Sequence, residues 1–278
     1  MRISYLGPQG TFSEEAAIHY FQDQNIDWQM CESILDVLEA VNEEIADKGI
    51  VPIENSIEGT INTTVDGIIA NNLYIVGEVI LPISLHLLTF GEIELKEIKE
   101  IWSMQPALDQ CKDFIKKTKA KRVQFQSTAY AAEALLQAKR TDAAALASEW
   151  AAKTFGLHIA KRNLQDNLEN QTRFVVVTKK QIDTTQSLKK TMLLISPNNE
   201  YPGLLSSILN VFSALSINLT WIESRPTKQK LGSYKFFLET DAGISEERMK
   251  KAIKILETFE HHVHILGSYD TYRIISNL

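Results

Sequence analysis

NQTRFVVV, residues 170–177, sets a hydroxyl and a guanidinium (Thr172 and Arg173) directly ahead of an aromatic and three valines. The apolar run predicts a buried strand. An Arg at the mouth of such a strand is either a solvated flank or the holder of something negative, and the flanking blocks bear on the choice.

Over most of the first 180 residues, short apolar runs alternate with amphipathic helical patterns. RISYLG (2–7) predicts a strand, followed by a helix from about Phe12 to Phe21. SILDVLEAVNEEIAD (33–47) predicts a helix, GIVPIE (49–54) a strand, 60–70 a helical stretch and LYIVGEVILP (73–82) a strand. The theme repeats with ELKEIKEIW (94–102), a helix over PALDQCKDFIKKT (106–118), a strand over KRVQFQ (121–126) and a helix over TAYAAEALLQAKR (128–140). AAALAS (143–148) reads as a short buried strand, with a helix from Glu149, before 170–177 closes the unit. Such alternation predicts an α/β architecture whose sheets are covered by helices. Ligands of these folds collect beyond the carboxyl ends of strands, where helix N-termini point.

From about Thr178 to Lys190 the chain turns polar and loses its period, which reads as a linker. Beyond it come strand TMLLISP, helix GLLSSILNVFSALS, strands NLTWIESRPT and SYKFFLET, helix SEERMKKAIKILETF and strand HVHILGSY. This βαββαβ order is that of a ferredoxin-like domain.

Composition narrows the partners. A net charge of −6 argues against broad attraction to nucleic acid or anionic membrane, so any anion must be met by locally placed donors. No stretch approaches the roughly 18 apolar residues of a membrane span, and MRISYLGPQG turns into a Gly-Pro loop after one strand, unlike a signal peptide. Two distant cysteines, Cys31 and Cys111, offer neither a disulfide framework nor metal-ligand spacing, so the expected compartment is the cytoplasm. The histidines supply no evident general base; His261, His262 and His264 are expected at helix ends or the surface.

Four stretches offer donors to an anion. In GPQGTFSEEAA (7–17), Thr11 and Glu14 have the spacing of a capping box, and Gly7 and Gly10 permit turns that a side chain would obstruct. PIENSIEGT (52–60) places Asn55, Ser56 and Gly59 before a helix, and QSTAYAAEAL (126–135) places Ser127 or Thr128 at the start of an Ala-rich one. Taken singly, each is more readily read as mere helix capping. Together with Arg173 they are able to surround a small anion, each helix end favouring negative charge by about 0.3–1 kcal/mol.

YLGPQGTFSEEAA, VPIENSIEGTINTTVD, STAYAAEAL and NQTRFVVV, in that order and spacing, resemble the motif set of the prephenate dehydratases. LTWIESRPTKQKLGSYKFFLE resembles the regulatory ACT domain of the same family, so the likeness covers essentially the whole chain. It implies a two-lobed catalytic domain, similar to type II periplasmic binding proteins, over 1–182. One lobe would comprise about 1–78 and 165–182 and the other about 79–164, with a linker at 183–190 and an ACT domain at 191–278. With Met1 just before the first strand, the resemblance is to the monofunctional form.

The implied reaction is the decarboxylating dehydration of prephenate to phenylpyruvate in phenylalanine biosynthesis, with arogenate as the alternative substrate. A non-catalytic two-lobed anion-binding protein is the rival class. Aromatisation drives the reaction and the breaking C–CO2 bond supplies the electrons, so no metal or cofactor is implied. The family's donor to the departing hydroxide would be Thr172, with Arg173 holding a carboxylate and Gly10, Thr11, Asn55, Ser56, Ser127 and Thr128 binding other oxygens. Phe174 either packs in the core or lines the pocket.

The ACT domain implies inhibition by L-phenylalanine in a homodimer or homotetramer, at Gly203, Leu204, Leu205, Asn218, Glu223, Ser224, Arg225 and Pro226. Two departures from the family pattern stand out. Met104 replaces a usual histidine and cannot donate a hydrogen bond, and Leu204, larger than the usual alanine, is expected to crowd the effector site.

Overall fold

The computed structural model describes residues 1–22, 25–228 and 230–275. The opening stretch comprises β1 (Arg2–Leu6), α1 (Phe12–Tyr20), β2 (Asp27–Cys31), α2 (Ile34–Asn42) and β3 (Lys48–Asn55). It continues through β4 (Gly59–Thr60), α3 (Asn62–Ala70) and β5 (Tyr74–Pro82). β1 lies between β2 and β3 and parallel to both, which makes α1 and α2 crossovers on the sheet faces. Covered on both sides, the strands carry apolar runs instead of alternation: Ile3, Ile50 and Val51 are wholly buried.

The chain then builds a second sheet. Its elements are β6 (His86–Thr89), β7 (Glu100–Ser103), α4 (Gln105–Gln110), α5 (Lys112–Thr118) and β8 (Lys121–Gln124), then α6 (Thr128–Ala138), β9 (Ala143–Ala147), α7 (Glu149–Phe155) and β10 (His158–Lys161). The order is β10-β6-β9-β7-β8, with β7, β8 and β9 parallel. The single helix expected over 106–118 is two, because the backbone of buried Cys111 (φ −117°, ψ 25°) leaves the helical region. β2, β6 and β10 were not anticipated; each is four or five residues long, too short for a period to declare itself.

β11 (Gln171–Thr178) returns to the first sheet between β3 and β5, antiparallel to both. The two connections between sheets are laced together: Ile83 N–H donates to the Asn170 carbonyl and Leu164 N–H to that of Leu85, both at 2.8 Å. β5 therefore stays with the first sheet to Pro82, a few residues past the expected lobe boundary near 78. Against β5 the pairing of β11 is regular from Gln171 to Val176, with a shift only before Val177. Thr172, Phe174 and Val176 fall on one face and Arg173, Val175 and Val177 on the other. Phe174, 1% exposed, packs with Ile3, Tyr5, Val79 and Leu81, so of its two readings core packing is the one the structure supports.

The C-terminal unit follows as β12 (Lys190–Ser196), α8 (Leu204–Ala214), β13 (Leu219–Pro226), β14 (Tyr234–Thr240), α9 (Glu247–Thr258), β15 (His262–Tyr269) and β16 (Thr271–Arg273). Its strands run β13-β14-β12-β15, all antiparallel, and α8 and α9 cover one face over Leu193, Ile208, Phe212, Leu238 and Met249. This is the expected βαββαβ arrangement. His261, anticipated at a helix end or the surface, follows α9 but is 5% exposed. The unit extends the first sheet, because β15 meets β5 at Gly267 and Ile75 and the unanticipated β16 pairs with Glu78–Ile80. A Cβ at Gly267 would collide with the Ile75 carbonyl, so only glycine admits this approach.

Between the lobes, α1 faces α7. A Cβ on Gly10 (φ +82°) would lie 2.8 Å from the Phe155 ring, and the His19 and Trp150 rings are 6.4 Å apart. In this seam burial pushes the Glu15 carboxyl up to about 7, with Lys153 opposing the rise and Glu149 adding to it. A carboxyl that holds its proton more tightly when folded favours the folded state at low pH, and that contribution fades as pH rises from about 4.5 towards about 7.

Two outcomes are expected. Phe174→Ala removes a ring from a filled core and lowers unfolding free energy by about 3–5 kcal/mol in chemical denaturation. Glu15→Gln melts near the parent's temperature at pH 5 and above it at pH 8; an equal offset at both pH values would remove Glu15 from the lobe seam's titration.

Candidate active site

The parallel strands β7, β8 and β9 end together, and α4, α6 and α7 begin just beyond them. That edge of the second lobe carries Met104, Ser127 with Thr128, and Ser148. Opposite stand the loop after β1 with Gly10 and Thr11, the end of β3 with Asn55, and the start of β11 with Thr172. Contacts across the gap hold the two edges together: Ser148 Oγ donates to the Gly10 carbonyl at 3.4 Å and Trp150 Nε1 to Glu14 at 2.7 Å.

Thr172 sits opposite Asn55 in register. The Asn55 side-chain oxygen accepts from the Ile57 and Glu58 amides at 2.9 and 3.0 Å, which fixes the carboxamide. Its Nδ2 is thereby aimed at Asn170 Oδ1, the Gln171 carbonyl and Thr172 Oγ1, at 2.9, 3.1 and 3.0 Å. Because the Thr172 oxygen accepts, its hydroxyl hydrogen is left to donate elsewhere. The network continues into the second lobe. Asn170, 1% exposed, donates to Gln110 Oε1 at 3.0 Å, and Gln110 Nε2 donates to Glu58 at 3.4 Å.

Several expected roles change. Arg173 was to hold a substrate carboxylate, but strand alternation turns it to the face opposite Thr172. There its guanidinium lies 3.1 Å from Glu239, 3.4 Å from Glu54 and 3.8 Å from Glu78, and 5.4 Å from the centre of the Trp221 ring. Burial opposes its charge, yet Glu239, Tyr269 and the other carboxylates outweigh burial and raise its pKa.

Ser56 was to bind a substrate oxygen. Instead its hydroxyl accepts from Gln171 N–H at 3.0 Å and donates to the Glu169 carbonyl at 3.3 Å, fastening the lobe connection. The Gly10 amide, expected to face the anion, donates to the Glu14 carboxylate at 2.8 Å. The anticipated capping box is therefore only half formed: Thr11 accepts from Glu14 N–H at 3.2 Å, but Glu14 reaches back to residue 10. Ser127 uses its hydroxyl to cap α6, accepting from Tyr130 N–H at 3.0 Å, and Thr128 is buried beneath it.

The effector candidates do not converge on one point in this chain. Gly203 opens α8 with φ +88°, and Leu205 is exposed. Leu204 was expected to crowd the effector site; its side chain is instead buried in the core under α8 and α9. The Asn218 carbonyl accepts from Asp241 N–H at 3.2 Å, tying down the start of β13. Along β13, Ser224 and Pro226 are exposed, whereas Glu223 and Arg225 are half-buried on the alternate face. Arg225 makes two bonds of 2.9 Å to Asp66 of α3, joined by Lys228 at 3.1 Å, and the Arg225 bonds hold the Asp66 carboxyl below the usual carboxylate range.

Residues given no role by the sequence include Asn170, Gln110, Glu78 and Glu239, and Glu14 was read only as half of a capping box. Asn170, Glu14 and Glu239 all lay inside quoted motifs, but only the strand period signalled that Arg173 and Thr172 part ways.

The sequence pattern that defines the prephenate dehydratase family matches residues 3–182. A bifunctional chorismate mutase/prephenate dehydratase of Aquifex aeolicus is 39% identical over 97% of this chain and 73% of that protein. The crystal structure of a prephenate dehydratase from Staphylococcus aureus superposes with a TM-score of 0.87 at 36% identity, covering 97% of this chain and all of that one. A prephenate dehydratase from Arthrobacter aurescens, crystallised with L-Phe, gives 0.85 at 32% identity over 97% of this chain and 90% of that one. With its matched segment spanning both lobes and its full-length likeness to these proteins, this chain belongs to the prephenate dehydratase family.

Proposed function

We propose that the chain converts prephenate to phenylpyruvate, carbon dioxide and water in the cleft beside Thr172. The observation that carries this reading is the Thr172 hydroxyl, whose oxygen is held as an acceptor by Asn55 Nδ2 at 3.0 Å and whose hydrogen is therefore free to donate. As the ring carboxylate departs, the C–CO2 bonding pair becomes a ring double bond. The ring C–O bond breaks with its electrons, and the leaving hydroxide takes a proton. Thr172 supplies that proton or shares it through the hydrogen-bonded chain, since a hydroxyl alone is too weak an acid for full transfer. Positioned donation of this kind contributes about 10²–10⁴-fold.

With Arg173 turned away, the substrate's negative end is assigned to the second-lobe edge, where the N-terminus of α6 begins at Thr128. Asn55 holds the donor, Ser56 fastens the connection behind it, and Thr11 shapes the opposite loop. Two buried free thiols, Cys31 and Cys111, suit the reducing cytoplasm in which we place the enzyme. Among the described residues, no helix is long and apolar enough to cross a membrane.

The C-terminal unit is read as an ACT domain that takes L-phenylalanine between paired copies, as a homodimer or a homotetramer. The L-Phe complex of the Arthrobacter relative supports this effector. Gly203, Leu205 and the exposed Ser224 and Pro226 are the candidate contacts. Arg225 joins them only on releasing Asp66, so phenylalanine and the Arg225–Asp66 pair compete. Linkage then requires substrate and phenylalanine to weaken each other's binding equally.

Thr172→Ala should lower phenylpyruvate formation about a hundredfold or more with a small change in KM, while Thr172→Ser keeps most of the activity. Parent-like turnover in the alanine variant would remove Thr172 from the mechanism. Isothermal titration should register phenylalanine binding together with inhibition; no heat and uninhibited turnover would leave the C-terminal unit without this ligand.

A further inference from the structure

Behind the strand that carries Thr172 lies a closed ring of charge. Lys190 Nζ is 3.0 Å from both oxygens of Glu78 and 3.1 Å from Glu239. Arg173 completes the circuit by charge: its Nη1 donates to Glu239 at 3.3 Å, while Nη2 and Nε lie 3.1 Å from Glu239 and 3.8 Å from Glu78 without hydrogen bonds of their own. Both carboxylates are wholly buried, the Arg173 and Lys190 side chains facing them are 11% and 18% exposed, and a third carboxylate, the partly exposed Glu54, also lies 3.4 Å from Arg173. Their remaining lone pairs are also met. Tyr269 O–H donates to Glu239 at 2.7 Å, Thr220 donates to its other oxygen, and Thr271 donates to Glu78 at 3.0 Å.

The ring straddles the junction of the two units. Arg173 and Glu78 belong to β11 and β5 of the first lobe; Lys190 and Glu239 belong to β12 and β14 of the C-terminal unit. The rest of the sheet contact there is slight, one residue pair between β15 and β5 plus three through β16. Buried ion pairs are poor sources of stability, since well-packed apolar groups of the same volume hold as well or better. What such a ring does supply is fixed position, because every member is held from two or more directions. Arg173 is one peptide away from Thr172, so whatever fixes its guanidinium also fixes the strand end that presents the hydroxyl.

We propose that Glu239, in the C-terminal unit, is a positioning residue for dehydration: through Arg173 it sets where Thr172 stands in the cleft. The C-terminal unit is then part of the apparatus that holds the donor, with or without effector. This rests on Thr172 being the donor proposed above. A displacement of about 1 Å at a reacting group lowers turnover on the order of a hundredfold.

The test uses the full chain. Glu239→Gln keeps shape and removes charge; kcat should fall about 10- to 100-fold while KM and phenylalanine affinity stay within about threefold. In the Thr172→Ala background the same substitution should add almost nothing, because its effect passes through the missing hydroxyl. A parent-like kcat in Glu239→Gln, a rise in KM alone, or a full further loss in the Thr172→Ala background each overturns the proposal. Should Glu239→Gln not fold, the charge-balanced pair Arg173→Met with Glu239→Leu takes its place, and parent-like turnover in that folded protein is equally fatal. If Thr172→Ala itself turns over normally, the donor assignment falls and this proposal with it; if Thr172→Ala is slow and Glu239→Gln is not, only the positioning role falls.

Discussion

β11 lies between two antiparallel neighbours, and the two-residue period of that strand divides the molecule's work. Successive side chains cannot share a face. Thr172 therefore belongs to the cleft, and Phe174 and Val176 to the core beneath it. Arg173 is sent to the other side, where Val175 and Val177 pack with Trp221, Phe237 and Tyr269 of the C-terminal unit. One strand thus presents a hydroxyl to one partner and a guanidinium to another. Sliding the register by one residue would exchange the two.

The cleft edge shows how weak acids and neutral amides can be organised without a strong base at hand. Asn55 is locked by two backbone amides before it meets Thr172, so the direction of the Thr172 bond is decided by the turn at 55–58. Asn170 and Gln110 extend that order across the lobe connection. In the mechanism proposed above, groups placed in this way need no reorganisation as charge develops on the leaving oxygen, which is where hydrogen-bond catalysis is most effective. The lobe seam nearby is a different kind of contact, with Glu14 and Glu15 of α1 meeting Trp150, Glu149 and Lys153 of α7.

Besides its sheet pairing and apolar packing, the C-terminal unit meets the first lobe through two charge clusters of unlike character. The Arg173 ring is largely enclosed, with Glu78 and Glu239 inaccessible to water and the Arg173 and Lys190 side chains 11% and 18% exposed. The Arg225–Asp66 pair is partly exposed, with side-chain exposures of 20% and 30%, so water can replace either partner. An enclosed ring holds geometry and is costly to break. A wet pair exchanges partners readily. The first suits permanent alignment, and the second suits a contact that an effector can displace.

Much of the fold was legible in the order of residues. Alternating apolar and amphipathic runs marked an α/β architecture, and the βαββαβ order marked the C-terminal unit, because period and turn chemistry are local properties of the chain. The division into two lobes came from the family resemblance. The motifs carrying Thr172, Asn55 and Ser127 were legible for the same reason. Short strands such as β6 and β10 were not, since four residues carry too little pattern.

The partners of those motifs were decided by tertiary structure alone. Nothing near Arg173 in sequence announces Glu239, 66 residues away, and nothing near Gly10 announces that Glu14 closes its amide while Ser148 takes its carbonyl. Local sequence determined which groups this protein owns and the face each strand offers. Which group answers which depends on chain segments brought together only by burial of apolar surface, a force proportional to area and indifferent to distance along the chain.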